Sequence, residues 1–104
     1  MNAVLRVLTR MANVVVTIRI MPDSPDADLK VLEQKATEII NKYCKDDKAV
    51  GKINVIPVAF GLKAIDLLFV MDEKMGDTEP LEKELSKLEG INSVETTDVR
   101  RAVG

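Results

Sequence analysis

The sequence predicts an α+β fold of the ferredoxin-like kind: a β-α-β-β-α-β two-layer sandwich, with both helices on one face of a four-stranded antiparallel sheet. Three observations carry the prediction. Four segments are rich in alternating or β-branched residues, two repeat apolar residues at helical steps, and turn-forming clusters separate them in strict order. A chain of 104 residues supports one domain, since folding at this size hides roughly two-thirds of the unfolded surface.

The first strand is Asn13 to Met21, with Val14, Val16, Ile18 and Ile20 on one face and Val15, Thr17, Arg19 and Met21 on the other. Pro22-Asp23-Ser24-Pro25-Asp26 breaks it and offers Ser24 and Asp26 as helix caps. Leu29, Leu32, Ala36, Ile39, Ile40 and Tyr43 then form the apolar stripe of a first helix, closed by the charged loop Lys45-Asp46-Asp47-Lys48. Gly51 to Ile56 reads as the second strand and Leu62 to Met71 as the third. Asp77 or Thr78 caps a second helix striped by Leu81, Leu85 and Leu88, which Gly90 is expected to end. Ser93 to Val99 is the last strand. On the third strand, Ile65, Leu67 and Phe69 are assigned to the core, and Ala64, Asp66 and Leu68 to the open face. Leu68, Val15 and Met21 give that open face a modest apolar character.

Composition removes several classes of function. Hydrophobic content of 46% and charged content of 31% are those of an ordinary soluble globular protein. A net charge of −2 argues against bulk electrostatic binding to nucleic acid, and 3% aromatic residues argue against base-stacking platforms. Cys44 stands alone, so no intramolecular disulfide, iron–sulfur cluster or thiolate zinc site can form. Histidine is absent, which removes the usual general base and the commonest metal ligand. Asp72 with Glu73, and Glu82 with Glu84, sit beside lysines in the pattern of a solvated surface. Gly76 and Gly90 are isolated, with no phosphate-cradling loop around them. Cys44 has no basic neighbour to activate it and is expected to be inert. The reading is a binding module, with no enzyme chemistry, cofactor or metal of its own.

Residues 1–12 carry two arginines and no acid, and are expected to be a poorly ordered extension, with Met11 a natural start. No stretch approaches the roughly eighteen consecutive apolar residues of a membrane helix, so a cytoplasmic protein without membrane contact is expected.

The segment from Ile53 to Val70 holds the most telling feature. Two apolar β-branched runs flank Pro57 and the pair Phe60-Gly61, so a large aromatic occupies a turn where a polar residue is the default. Such a residue either contacts a partner or folds inward as a strand-end core residue.

Pro57-Val58-Ala59-Phe60-Gly61-Leu62-Lys63, the loop Gly76-Asp77-Thr78 before Leu81-Glu82, Met21-Pro22-Asp23-Ser24-Pro25-Asp26 with Asp28-Leu29, and the ending Thr97-Asp98-Val99-Arg100-Arg101 resemble the elongation factor 1-beta family. The likeness runs from Asn13 to Arg101 and is to the stand-alone archaeal form. It implies a guanine-nucleotide exchange domain over residues 13–101. The implied partner is the GTPase elongation factor 1-alpha in translation elongation. It further implies partner-binding roles for Pro57, Phe60, Gly61, Lys63, Asp98, Arg100 and Arg101. A monomer is expected and, from charge and aromatic content, no direct nucleic-acid contact. Relatives of eukaryotic type end in a lysine and a bulky apolar residue, whereas this chain ends Arg100-Arg101-Ala102-Val103-Gly104. Either arginine is a candidate for the basic side chain that reaches the GTPase's magnesium site. Asp72 and Glu73 read as a mobile acidic loop that a basic partner surface would also suit.

Two other functions share the predicted topology. A small-molecule-sensing or dimerisation module would use the same sheet, and fold alone does not decide between them. An acylphosphatase-like enzyme would want an arginine-containing anion cradle after the first strand, where this chain has the acidic Pro22–Asp26 loop.

Overall fold

A computed structural model describes residues 13–75 and 77–101. The expected extension over residues 1–12 lies outside the described residues. In order the elements are β1 (Asn13–Pro22), α1 (Leu29–Cys44), β2 (Val50–Pro57), a 3-10 turn at Ala59–Gly61, β3 (Lys63–Asp72), a 3-10 turn at Glu73–Met75, α2 (Glu79–Ser86) and β4 (Ile91–Arg101). The sheet order is β2-β3-β1-β4, antiparallel throughout. This is the ferredoxin-like arrangement read from the sequence.

Period-two alternation on β1 and β3 decides which face is covered. Val16, Ile18 and Ile20 of β1 and Ile65, Leu67 and Phe69 of β3 are buried against Leu32, Ala36 and Ile40 of α1 and Leu81 and Leu85 of α2. Each such side chain contributes roughly 1.5–3 kcal/mol through burial. The three core residues assigned to β3 are therefore where the alternation put them.

Local hydrogen bonding changes several boundaries. Asp28, and neither Ser24 nor Asp26, caps α1: its carboxylate accepts from the N–H groups of Lys30 (3.1 Å) and Val31 (3.3 Å). Ser24 instead uses its hydroxyl to accept from the Asp26 N–H (3.1 Å), which shapes the approach loop. Helix α2 ends at Ser86, short of Gly90. Its last turn tightens to 3-10 spacing, Lys87 N–H to Glu84 C=O and Leu88 N–H to Leu85 C=O, while the Ser86 hydroxyl donates to the Lys83 carbonyl (2.8 Å). Gly90, at φ +92, serves another junction: its carbonyl accepts from the Asp23 N–H (2.9 Å), fastening the end of β1 to the start of β4. Glu73, expected in a mobile loop, lies in a 3-10 turn that the Asp72 carboxylate caps at the Lys74 N–H (2.9 Å).

The open face carries its own device. Arg19 and Asp66 are directly opposite in the β1–β3 register, and the guanidinium grips the carboxylate bidentately at 2.8 and 3.0 Å. Asp66 is only 6% exposed although it faces away from the helices. The hydrogen bonds to Asp66, reinforced by its charge, raise the Arg19 pKa. Replacing Arg19 by Ala strands a nearly buried carboxylate. The expected loss is about 1–2 kcal/mol after allowance for the guanidinium's own exposure, read as a lower urea midpoint. An Arg19→Ala, Asp66→Ala double variant should recover part of that loss.

Candidate functional site

The candidate residues fall at opposite ends of the strands. Pro57, Phe60, Gly61 and Lys63 meet in the β2–β3 turn, where Pro57 is opposite Lys63. Arg100 and Arg101 lie opposite Val15 and Val14, at the far end of β1, with Asp98 opposite Thr17. Nine steps along β3 from Lys63 to Asp72, at about 3.3 Å each, separate the two clusters by roughly 30 Å.

The turn is built against local preference. Val58 N–H donates to the Leu62 carbonyl (2.8 Å), and Leu62 N–H donates to the Ala59 carbonyl (3.2 Å). Between them Phe60 (φ 61°, ψ 31°) and Gly61 (φ 75°) both lie in the left-handed region. Two consecutive positive φ values match the right-handed twist of a hairpin, which is why Asn-Gly is the usual pair there. Glycine takes that conformation freely, whereas for Phe60 the clash of Cβ with the backbone costs about 1–2 kcal/mol. Nothing in the core repays it, because Phe60 is 93% exposed. The inward-folded alternative is thereby removed. Pro57 stands where the strand alternation points its nitrogen away from β3, so its missing N–H leaves the ladder intact.

At the other end both arginines are engaged. Arg100 Nε meets Asp98 Oδ2 at 2.8 Å, and Arg101 Nη2 meets Glu73 Oε1 at 2.8 Å. All four side chains are substantially exposed, so each pair contributes little to stability. Arg100 is on the open face with Val15, while Arg101 is on the helix side with Val14.

The partly buried cluster of Thr78, Glu82 and Thr96 escaped the sequence reading, although Thr78 does stand at the N-cap of α2, as one of the two residues named for it. Glu82, grouped there with Glu84 as solvated, accepts from the hydroxyls of Thr78 (3.0 Å) and Thr96 (2.9 Å). These two hydroxyls are themselves 2.9 Å apart. The signal was the i,i+4 spacing of Thr78 and Glu82, but the third member comes from β4, which only the tertiary fold brings close. Burial, aided by Asp46, pushes the Cys44 thiol up to about 11. Among the described residues, no group of three or more His, Cys, Asp or Glu side chains is placed to hold a metal ion. No helix in them is long and apolar enough to cross a membrane.

A small ferredoxin-like module with an aromatic tip and a basic strand end belongs to a recognisable class. Residues 15–102 match the EF-1 guanine nucleotide exchange domain, and the chain belongs to that family. Elongation factor 1-beta of Methanothermobacter thermautotrophicus is 42% identical over 91 residues, covering 88% of this chain and 98% of that protein. The proteins of the same name from Methanocaldococcus jannaschii (39% over 92 residues; 88% and 100% covered) and Thermoplasma acidophilum (30% over 89 residues; 86% and 97% covered) are also similar. Among solved structures, the ACT domain from the GTP pyrophosphokinase of Chlorobium tepidum superposes with a TM-score of 0.55 at 19% identity, covering 85% of this chain and 90% of that one. That likeness concerns the fold alone.

Two outcomes test the geometry. Phe60→Asn should raise the free energy of unfolding by about 0.5–1 kcal/mol, because asparagine tolerates the left-handed turn better than phenylalanine does; a higher urea midpoint reads it. Alkylation of Cys44 in the native protein at pH 8 should run at least tenfold slower than in the unfolded chain. The raised pKa keeps the thiol protonated there, and native reactivity should climb only as pH approaches about 11.

Proposed function

We propose that this chain promotes replacement of GDP by GTP on elongation factor 1-alpha during translation elongation, with residues 13–101 as the exchange unit. In this reading it acts as a cytoplasmic monomer, without chemical conversion of its own and without nucleic-acid or membrane contact. The observation that carries the proposal is Phe60, an aromatic held at positive φ and 93% exposed on a hairpin of an exchange-domain fold. A side chain kept out of the core against local preference is an anchor for another protein.

Exchange needs no bond to be made or broken. A factor that stabilises the nucleotide-free GTPase relative to the GDP-bound one weakens GDP by the same coupling. A thousandfold faster release corresponds to about 4 kcal/mol of differential stabilisation, within reach of two anchor points. Pro57, Gly61 and Lys63 shape and flank the Phe60 contact. Arg100 or Arg101 supplies positive charge where the GTPase holds magnesium, competing with the metal while leaving the phosphates less well held, and Asp98 orients Arg100.

Release of fluorescent GDP from the cognate elongation factor 1-alpha, with and without this protein, tests the proposal. Acceleration is expected, together with a stable complex when nucleotide is removed. Phe60→Asn should weaken that complex by about 2 kcal/mol, and the Arg100→Ala, Arg101→Ala pair should cut the maximal release rate at least tenfold. An unchanged release rate with no complex to the empty GTPase would sink it.

A further inference from the structure

Strand β4 does not pair evenly with β1. Ile18 is opposite Thr96 and Thr17 is opposite Asp98, so Thr97 is an extra residue without a partner. Thr96 and Val99 are three apart, yet both face the helix layer: Thr96 opposite buried Ile18, Val99 opposite buried Val16. An unbroken strand cannot do this, because three steps reverse the face. The bulge must therefore fall between them.

Thr96 is clamped. Its hydroxyl donates to the Glu82 carboxylate of α2 (2.9 Å) and lies 2.9 Å from the Thr78 hydroxyl, so this point of β4 is fixed to the helix layer. Beyond the bulge come Asp98, Arg100 and Arg101, the strand end on which the proposed exchange activity depends. A bulge bends the strand that carries it and increases the local twist. Nothing in the core calls for this bend: Thr97 is exposed, its hydroxyl makes one long contact to the Thr17 carbonyl (3.4 Å), and Val99 beyond it is still 55% exposed.

We infer that the Thr97 bulge, held in place by the Thr96–Glu82 clamp, aims the arginine-bearing end of β4 at the partner. Thr96, Thr97 and Glu82 are thus positioning residues for exchange. The inference rests on the exchange reading above. What matters at Thr97 is the extra backbone unit and not the hydroxyl.

Deletion of Thr97 separates aim from stability. Removing the extra residue leaves Asp98, Val99, Arg100 and Arg101 opposite the same β1 partners and on the same faces, so only the bend is lost. The deletion variant should keep or gain thermal stability and keep its half-saturating concentration on the GTPase, which the Phe60 end sets. Its maximal GDP-release rate should fall at least tenfold. Thr97→Ala, which keeps the bulge, should exchange like the parent protein. If the deletion variant cannot be folded, Thr96→Val and Glu82→Ala carry the test, with the maximal rate falling at least fivefold at unchanged half-saturation. A deletion or clamp variant that exchanges at the parent rate overturns the inference, as does a Thr97→Ala variant as slow as the deletion. Failure of the parent protein to accelerate release is a different result and removes the exchange reading itself.

Discussion

Strand β1 is hydrogen-bonded on both sides, to β3 and to β4, and its alternation fixes everything else. Val16, Ile18 and Ile20 leave it one buried face, so a one-residue slip against either neighbour would drive three apolar side chains into water. At roughly 1.5–3 kcal/mol apiece, such a slip exceeds what the two termini gain from any surface ion pair. The register therefore sets where both candidate ends lie. With β1 and β3 locked, the β2–β3 turn must emerge beyond Pro22, and the end of β4 must emerge beside Asn13 and Asp72. The separation of the two candidate anchors is a property of the core.

Against that rigid background, local conflicts acquire meaning. Most of the chain satisfies its own preferences: Asp28 caps a helix, Pro57 sits on a sheet edge, and Gly61 and Gly90 take positive φ. Phe60 and Lys45 are the non-glycine residues at positive φ among those described. Lys45 terminates α1, a place where a left-handed residue closes the helix by hydrogen bonds to the Asn41 and Lys42 carbonyls. Phe60 has no comparable return within the fold. A sequence whose levels otherwise agree departs from agreement where something other than stability selects the residue.

What was legible in the sequence follows from the range of each interaction. Strand order, helix stripes and the core faces of β1 and β3 came from period-two and period-3.6 patterns, which are properties of contiguous residues. The Phe60 turn was legible for the same reason, since residue type and position sufficed to mark it as anomalous. Its left-handed backbone and its exposure were not, because either an inward or an outward ring fits the same heptapeptide. Arg19–Asp66 and Thr96–Glu82 span 47 and 14 residues, so no local pattern could announce them. The Thr97 bulge was hidden for a subtler reason. Ser93 to Val99 reads as one unbroken strand, and only its pairing with β1, Thr96 opposite Ile18 and Asp98 opposite Thr17, reveals the extra residue. The cap of α1 was missed because Ser24 and Asp26, named from the sequence, and Asp28 are all plausible acceptors within one loop, where geometry alone decides, whereas the cap of α2 falls on Thr78, one of the two residues named for it.

The ion pairs at the end of β4 suggest how a weakly stabilising arrangement can serve exchange. Arg100 with Asp98 and Arg101 with Glu73 are exposed pairs, each within about 0–1 kcal/mol of neutrality. Breaking one to meet a partner therefore costs little, while in the free protein it limits the rotamers a long side chain explores. The arginines differ in what holds them. The partner of Arg100 is on its own strand and moves with it, whereas Glu73 belongs to the turn after β3 and ties the strand end to the neighbouring loop. A basic side chain that travels with its own counter-ion presents a dipole. One that must leave its counter-ion behind presents a full charge. The second suits competition for a divalent cation's place and the first suits docking on a polar surface, so the two adjacent arginines, directed to opposite sides of one strand, are chemically distinct groups.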